Sequence, residues 1–178
     1  MLVYAPEAAP DFRAIFDAHY DYVCASLRRL GVRESDREDA AIEVFCRVQA
    51  RLEDYDERRP LRPWLFAFAA RVASEFRRNS RRQPEMVHGD DLHALPAAPQ
   101  ALSEVAAVDT RGLVLAALET LDDEKRVVIV LHDLDECTVP VIAAALGLPE
   151  GTVYSRLRAA RARFGRAVRR LRARERTP

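Results

Sequence analysis

An all-α fold of two small helical bundles, joined by a flexible linker and with a helix-turn-helix in the second, is predicted by three observations. Alanine, leucine and arginine dominate a 178-residue chain that holds only 6 glycines, and no run of alternating β-branched residues is long enough for a strand. Apolar residues recur at steps of three and four in stretch after stretch, the spacing of one helix face. Between two such sets, residues 83–104 carry prolines, acids and small residues without a period, which is the composition of a linker.

Taken in order, residues 1–10 contain Pro6 and Pro10 and little to bury, so they read as a loose, disordered arm. The first bundle spans 11–82. A helix starting at Asp11 carries Phe12, Ile15, Phe16, Tyr20, Val23, Leu27 and Leu30 on one stripe, and Gly31 ends it. Ser35 with Glu38 has the spacing of a capping box and opens a second helix, with Ala41, Val44, Phe45, Val48 and Leu52 inward. Residues 53–60, EDYDERRP, form a polar loop, and Pro63 suits the first turn of a third helix. That helix buries Leu61, Trp64, Leu65, Phe68, Val72 and Phe76, while Arg71, Arg77, Arg78, Arg81 and Arg82 crowd its second half, where cations suit the helix dipole. The linker has a flexible span of about 25 Å and an extended limit of about 70 Å.

The second bundle spans 105–172. Leu113, Ala116, Ala117 and Leu121 mark its first helix, and Asp122 is placed to cap the next, with Val127, Val128, Leu131 and Leu134 inward. Then comes TVPVIAAALGLPEGTVYSRLRAARARF, residues 138–164, with the grammar of a helix-turn-helix. Thr138 is a candidate N-cap, Val141, Ile142, Ala145 and Leu146 point inward, and Gly147 supplies a positive-φ exit. Leu148 plugs the turn, and a second helix buries Val153, Leu157, Ala160, Phe164, Val168 and Leu171. Its other face offers Tyr154, Ser155, Arg156, Arg158 and Arg161 with no carboxylate among them, as a recognition helix in a major groove requires. A basic helical hairpin would show the same periodicity, but a merely solvated helix usually mixes signs. Residues 173–178 form a basic tail.

The net charge is zero, yet it is uneven. Residues 83–123 hold eight acids against Arg111 alone, and residues 151–178 hold ten arginines against Glu175. A basic end on a neutral chain points to nucleic acid. Cys24, Cys46 and Cys137 are scattered in apolar helical settings and read as small core residues of a reducing compartment. His132 and Cys137 are too few for a metal site, and no nucleophile–base pair or glycine-rich phosphate loop is present. We therefore expect no cofactor and no enzyme. No signal peptide and no apolar run of the roughly 20 residues that cross a bilayer is found, so a cytoplasmic protein without membrane insertion is expected.

The order of a three-helix bundle, an acidic linker and a bundle ending in a helix-turn-helix resembles the extracytoplasmic-function sigma factors of bacterial RNA polymerase over residues 11–170. The carrying residues are DFRAIFDAHYDYV, EDAAIEVFCRV and LRPWLFAFAARVA in the first bundle, then LETLDDEKRVVIVL and ALGLPEGTVYSRLRAAR in the second. The last matches the family's LGIPxGTVxSRLxRAR signature almost letter for letter. The resemblance implies that Asp39, Glu43, Phe45 and Arg47 dock on the clamp of core RNA polymerase, and that the second bundle meets its flap. It implies that the loop at 53–62 and the helix after it melt and read the −10 box, with Arg58, Arg59, Arg62, Arg71, Arg77, Arg78 and Arg81 for strand and phosphates. Trp64 is a candidate stacking residue there, although its helical spacing favours the core. Thr152, Tyr154, Ser155, Arg156 and Arg158 fall where the −35 box is read, and Arg161 suits a phosphate. The chain departs from the pattern at Ile42, where Gln is usual, at Ala70-Arg71, usually Arg-Asn, at Pro140-Val141, usually acidic, and at Tyr154, usually Lys or Arg.

The implied function is a dissociable specificity subunit that binds core RNA polymerase and promoter DNA, with an anti-sigma protein as a possible further partner. Boxes about one and a half helical turns apart lie about 50 Å from each other. An extended linker spans that distance and a collapsed one does not, so polymerase would hold it open. The alternatives are a dimeric helix-turn-helix repressor or activator that binds DNA without polymerase, and a polymerase adaptor that reads no DNA.

Overall fold

The computed structural model describes the backbone of residues 11–82 and 103–175, and the side chains of residues 11–80 and 110–174. The expected arm, most of the linker and the end of the tail lie outside them. Among the described residues there are seven α-helices and no strand: α1 (Phe12–Arg29), α2 (Arg37–Gln49), α3 (Leu61–Arg82), α4 (Ser103–Glu119), α5 (Asp123–Ile129), α6 (Val139–Leu146) and α7 (Glu150–Glu175). No helix among them is long and apolar enough to cross a membrane.

Helices α1, α2 and α3 form the first bundle. Asp11 caps α1 by accepting from the Arg13 amide at 3.0 Å. Gly31, at φ +85°, lets the chain leave the helix in the left-handed region. Phe12, Phe16 and Tyr20 on successive turns of α1 surround Phe45 of α2, with the Phe16 and Phe45 ring centroids 4.7 Å apart. Leu65, Phe66, Ala69 and Val72 of α3 are fully buried against them. The expected capping box does not form. Residues Glu34–Asp36 make a 3-10 turn, Ser35 donates to Asp36 instead, and Asp36 caps α2 without a side-chain bond.

In the second bundle Asp122 caps α5, accepting from the Lys125 amide at 3.0 Å. The continuation of α5 is a π-helical turn, Val130–Leu134. The wider turn advances the helical phase, so Leu134, expected inward, is 41% exposed. Gly147 ends α6 at φ +65°, and the Leu148 amide bonds back to the Ala143 carbonyl at 3.0 Å. A Cβ at Gly147 meets nothing within 4 Å, so Gly147→Ala has a purely conformational cost, expected at about 1–2 kcal/mol and read as a lowered urea midpoint with unchanged slope.

The two bundles are not separate bodies. One continuous apolar core runs through both. Helix α6 packs against α3 of the first bundle as well as against α7, which explains its almost wholly apolar sequence, VPVIAAAL. Sequence periodicity alone gave α6 only one buried side.

Candidate nucleic-acid interface

The recognition helix is positioned by its own apolar side. Val153, Leu157, Ala160 and Ala167 of α7 are buried, with Phe164, Val168 and Leu171 half-buried. Pro140 fits the start of α6 because amides of the first turn have no helical acceptor. Thr138 takes the N-cap conformation but makes no side-chain cap bond, contrary to expectation. On the far side of α7, Tyr154 is 60% exposed, and Ser155, Arg158 and Arg161 are exposed beside it. Thr152 is half-buried under them and accepts from the Ser155 hydroxyl at 2.9 Å through its carbonyl.

The arginines of this face differ in a way the helix sequence does not show. Arg156 is half-buried and paired to Glu124 of α5 at 2.9 Å. Arg161 donates through Nε to Asp133 at 2.9 Å, and this bond holds the Asp133 carboxyl below the usual carboxylate range. Arg158 makes no ion pair among the described residues. It is therefore the cation most ready to meet a base edge or phosphate, while Arg156 and Arg161 must exchange partners first. Nothing in the sequence of α7 points to Glu124 and Asp133, which lie far from it in the chain.

The second candidate surface is the loop before α3 and one side of that helix. Arg58 and Arg59 both pair with Asp56, at 2.9 and 3.6 Å. Arg62 is exposed and lies over the Tyr22 ring at 5.2 Å. Trp64 is half-buried between Tyr55 and Phe68, with centroids at 4.8 and 4.9 Å, as its spacing implied. Arg71 and Arg78 are exposed, and Arg71 lies over Phe68. Arg77 differs from that set: its side chain is largely buried and paired with Asp123 of α5. The side chain of Arg81 lies outside the described residues.

On α2, Asp39 is exposed and Glu43 half-buried. Arg47 donates to both oxygens of Glu75 on α3, at 2.9 and 2.7 Å, and to Glu43 at 2.7 Å. Phe45 does not belong to this surface. At 2% exposure it is the hub of the aromatic cluster, and the helical repeat puts it on the far side of α2 from Glu43. The outward position is taken instead by Ile42, 46% exposed, with Cys46 exposed one turn on. Its departure from the usual Gln was legible in the sequence, although its exposure was not.

The arginine bonds make a pH prediction. Arg47 holds the Glu75 carboxyl below its ordinary range, as Arg161 does for Asp133. A depressed folded pKa gives stability that is present above the unfolded pKa and lost as pH falls through the folded one. The urea midpoint should therefore hold steady from pH 8 to 6 and fall below about pH 4.5, and Arg47→Ala should flatten part of that fall.

A helix-turn-helix bundle with an arginine-bearing outer face, packed on a second bundle with its own basic side, has the architecture of a DNA-binding protein. Comparison with known proteins sharpens this. Residues 15–83 match the family Sigma-70 region 2, and residues 111–164 match Sigma-70, region 4. The chain is 34% identical over 154 residues to the ECF RNA polymerase sigma factor SigL of Mycobacterium tuberculosis, covering 86% of this chain and 85% of that one. It is 29% identical over 160 residues to the RNA polymerase sigma factor CnrH of Cupriavidus metallidurans, covering 86% and 84%. Among solved structures, CnrH in complex with the cytosolic domain of CnrY superposes with a TM-score of 0.61 at 26% identity, over 86% of this chain and 84% of that one. The sigma factor RpoE in complex with the anti-sigma factor NepR from Bartonella quintana shares the fold, with a TM-score of 0.65 at 20% identity, over 89% and 97%.

The chain belongs to the extracytoplasmic-function family of RNA polymerase sigma factors. It directs core polymerase to specific promoters and assists initiation, and its region 2 and region 4 units bind core polymerase and promoter DNA. A dimeric repressor has no use for a region 2 unit, so that alternative is not favoured.

Proposed function

We propose that α7 reads the −35 box through Tyr154, Ser155 and Arg158, with Arg156 and Arg161 recruited from their carboxylate partners when DNA arrives. The observation that carries this is the position of Arg158: exposed, on the recognition face, and without an ion pair among the described residues. Thr152 supports the helix start from below. Residues 11–82 form the polymerase-binding and melting unit. Arg58, Arg59, Arg62, Arg71 and Arg78 follow the separated strand, with Arg81 continuing the row in sequence. Asp39, Glu43, Arg47 and the exposed Ile42 form the clamp-docking face. Residues 105–172 form the −35 unit, and 83–104 connect the two. The chain supplies selection and the polymerase supplies the chemistry, which puts its work in the cytoplasm. Two solved relatives are held by partner proteins, and an anti-sigma protein is proposed here for the same reason.

Opening of the −10 region tests the division of labour. With 2-aminopurine placed in that box, wild-type holoenzyme should give a fluorescence rise. Arg71→Ala with Arg78→Ala should slow it about tenfold or more while leaving core binding intact, and Asp39→Arg should reduce core binding itself. Unchanged opening kinetics in the arginine double variant would remove the melting role from α3.

A further inference from the structure

We propose that a cleft between the last turn of α1 and the middle of α4 binds a small phosphorylated molecule of nucleotide size. The site shares no residue with the DNA-reading or clamp-docking faces assigned above, so it stands or falls apart from the sigma-factor reading. The cleft measures about 630 Å³ and is lined by Arg28 and Arg29 of α1, Arg111, Val114 and Leu115 of α4, and Leu134 of the π-helical turn. Small-molecule sites span about 300–1,000 Å³. Among the described residues no carboxylate lines this one.

Arg28 calls for an anion. Its Nε is buried and has no hydrogen-bond partner among the described residues, and its side chain makes no ion pair there. Burial lowers its pKa, and Arg111, Arg37 and Arg29 lower it further, with Glu34 opposing them. Neighbouring arginines are better served. Arg126, 1% exposed, donates to the Leu30 and Leu121 carbonyls at 2.8 and 3.1 Å. Arg29 donates at 2.7 Å to Asp135, which also accepts from the Tyr22 hydroxyl at 2.8 Å, and Arg37 pairs with Glu34. Arg28 is left among like charges. A partly desolvated guanidinium without an acceptor costs free energy that a bound anion recovers. The α1 dipole favours cations in its last turn, which accounts for Arg28 and Arg29. It does not account for Arg111, which reaches the same cleft from α4.

Shape selects the ligand. Arg163, Arg166, Arg170 and Arg174 line another cleft along α7 at steps of three and four, a single file that suits the repeated phosphates of a strand. Arg28, Arg29 and Arg111 instead converge on one space from two helices. That suits the compact charge of a di- or triphosphate, whose oxygens match guanidinium forks. The rest of the lining is apolar, and Leu134 is 41% exposed there because the π-helical turn rotates it outward. This side takes the organic part of the ligand.

Calorimetric titration of the full chain at low salt with ATP, tripolyphosphate and adenosine tests the site. ATP and tripolyphosphate should bind and adenosine should not. Arg28→Met and Arg111→Ala should each weaken ATP about tenfold or more, and Arg158→Ala should leave it unchanged. Leu134→Ser should weaken ATP but not tripolyphosphate. Without ligand, Arg28→Met should raise the urea midpoint, because it removes a crowded cation and keeps the apolar stem; saturating ATP should reverse the order of the two proteins. A purely structural arginine would lower the midpoint in both conditions. No binding of ATP overturns the proposal. So does binding that survives Arg28→Met with Arg111→Ala, or that disappears with Arg158→Ala, which would place the ligand on the DNA-reading face.

Discussion

Replacing Arg158 with alanine should cost the holoenzyme about 1–3 kcal/mol of −35 discrimination, which is about a 5- to 150-fold loss at the preferred promoter. The size follows from its state before binding. Arg158 is exposed and makes no ion pair among the described residues, so no internal bond has to be broken to use it. Arg156→Ala should do less, because its contact with DNA is offset by the loss of its bond to Glu124. Selection from a randomised −35 library separates the two functions of an arginine. If Arg158 reads a base, the variant loses preference at one position and keeps it elsewhere. If it binds only phosphate, affinity falls evenly over all sequences and the salt dependence weakens. Preferences at the −10 box should be untouched in both cases.

Phe45→Ala should destabilise the protein by about 3–5 kcal/mol, the range for a large aromatic deleted from a packed core. The ring is 2% exposed and touches Phe12, Phe16 and Tyr20 from the next helix, so a void there cannot fill by a small shift. Urea unfolding checks it, and Phe45→Leu should recover more than half of the loss. Any fall in transcription should follow the folded fraction and not the affinity for core polymerase. Asp39→Arg should do the reverse, with stability near wild type and weaker core binding. A Phe45→Ala protein of normal stability that fails to bind core would return Phe45 to the docking face.

These two predictions differ in how much of their basis the sequence carried. The stripes of α1, α2, α3 and α7 were legible because each presents one apolar side, and Gly31 and Gly147 marked exits that require positive φ. Tyr154, Ser155 and Arg158 were legible for the same reason, as the positions opposite a buried stripe. Leu134 was misplaced because a π-helical turn breaks the period that placed it. Ser35 has the spacing of a cap but does not act as one, because a 3-10 turn takes the backbone bonds first. Phe45 entered the docking set through its neighbours in the motif, although its own spacing already placed it inward. The buried position of Arg126, the role of Asp135 and the pairing of Arg156 and Arg161 depend on contacts between distant segments, which no local period encodes. The joining of the two bundles has no local signal for that reason, and neither has the second buried side of α6.

Run-off transcription tests the central claim most directly. Purified core polymerase, a library of promoter fragments and this chain should together yield transcripts from a defined subset, sharing one upstream and one downstream box about one and a half helical turns apart, and Arg158→Ala should blur the upstream box. Transcript ends as random as those of core polymerase alone would contradict it.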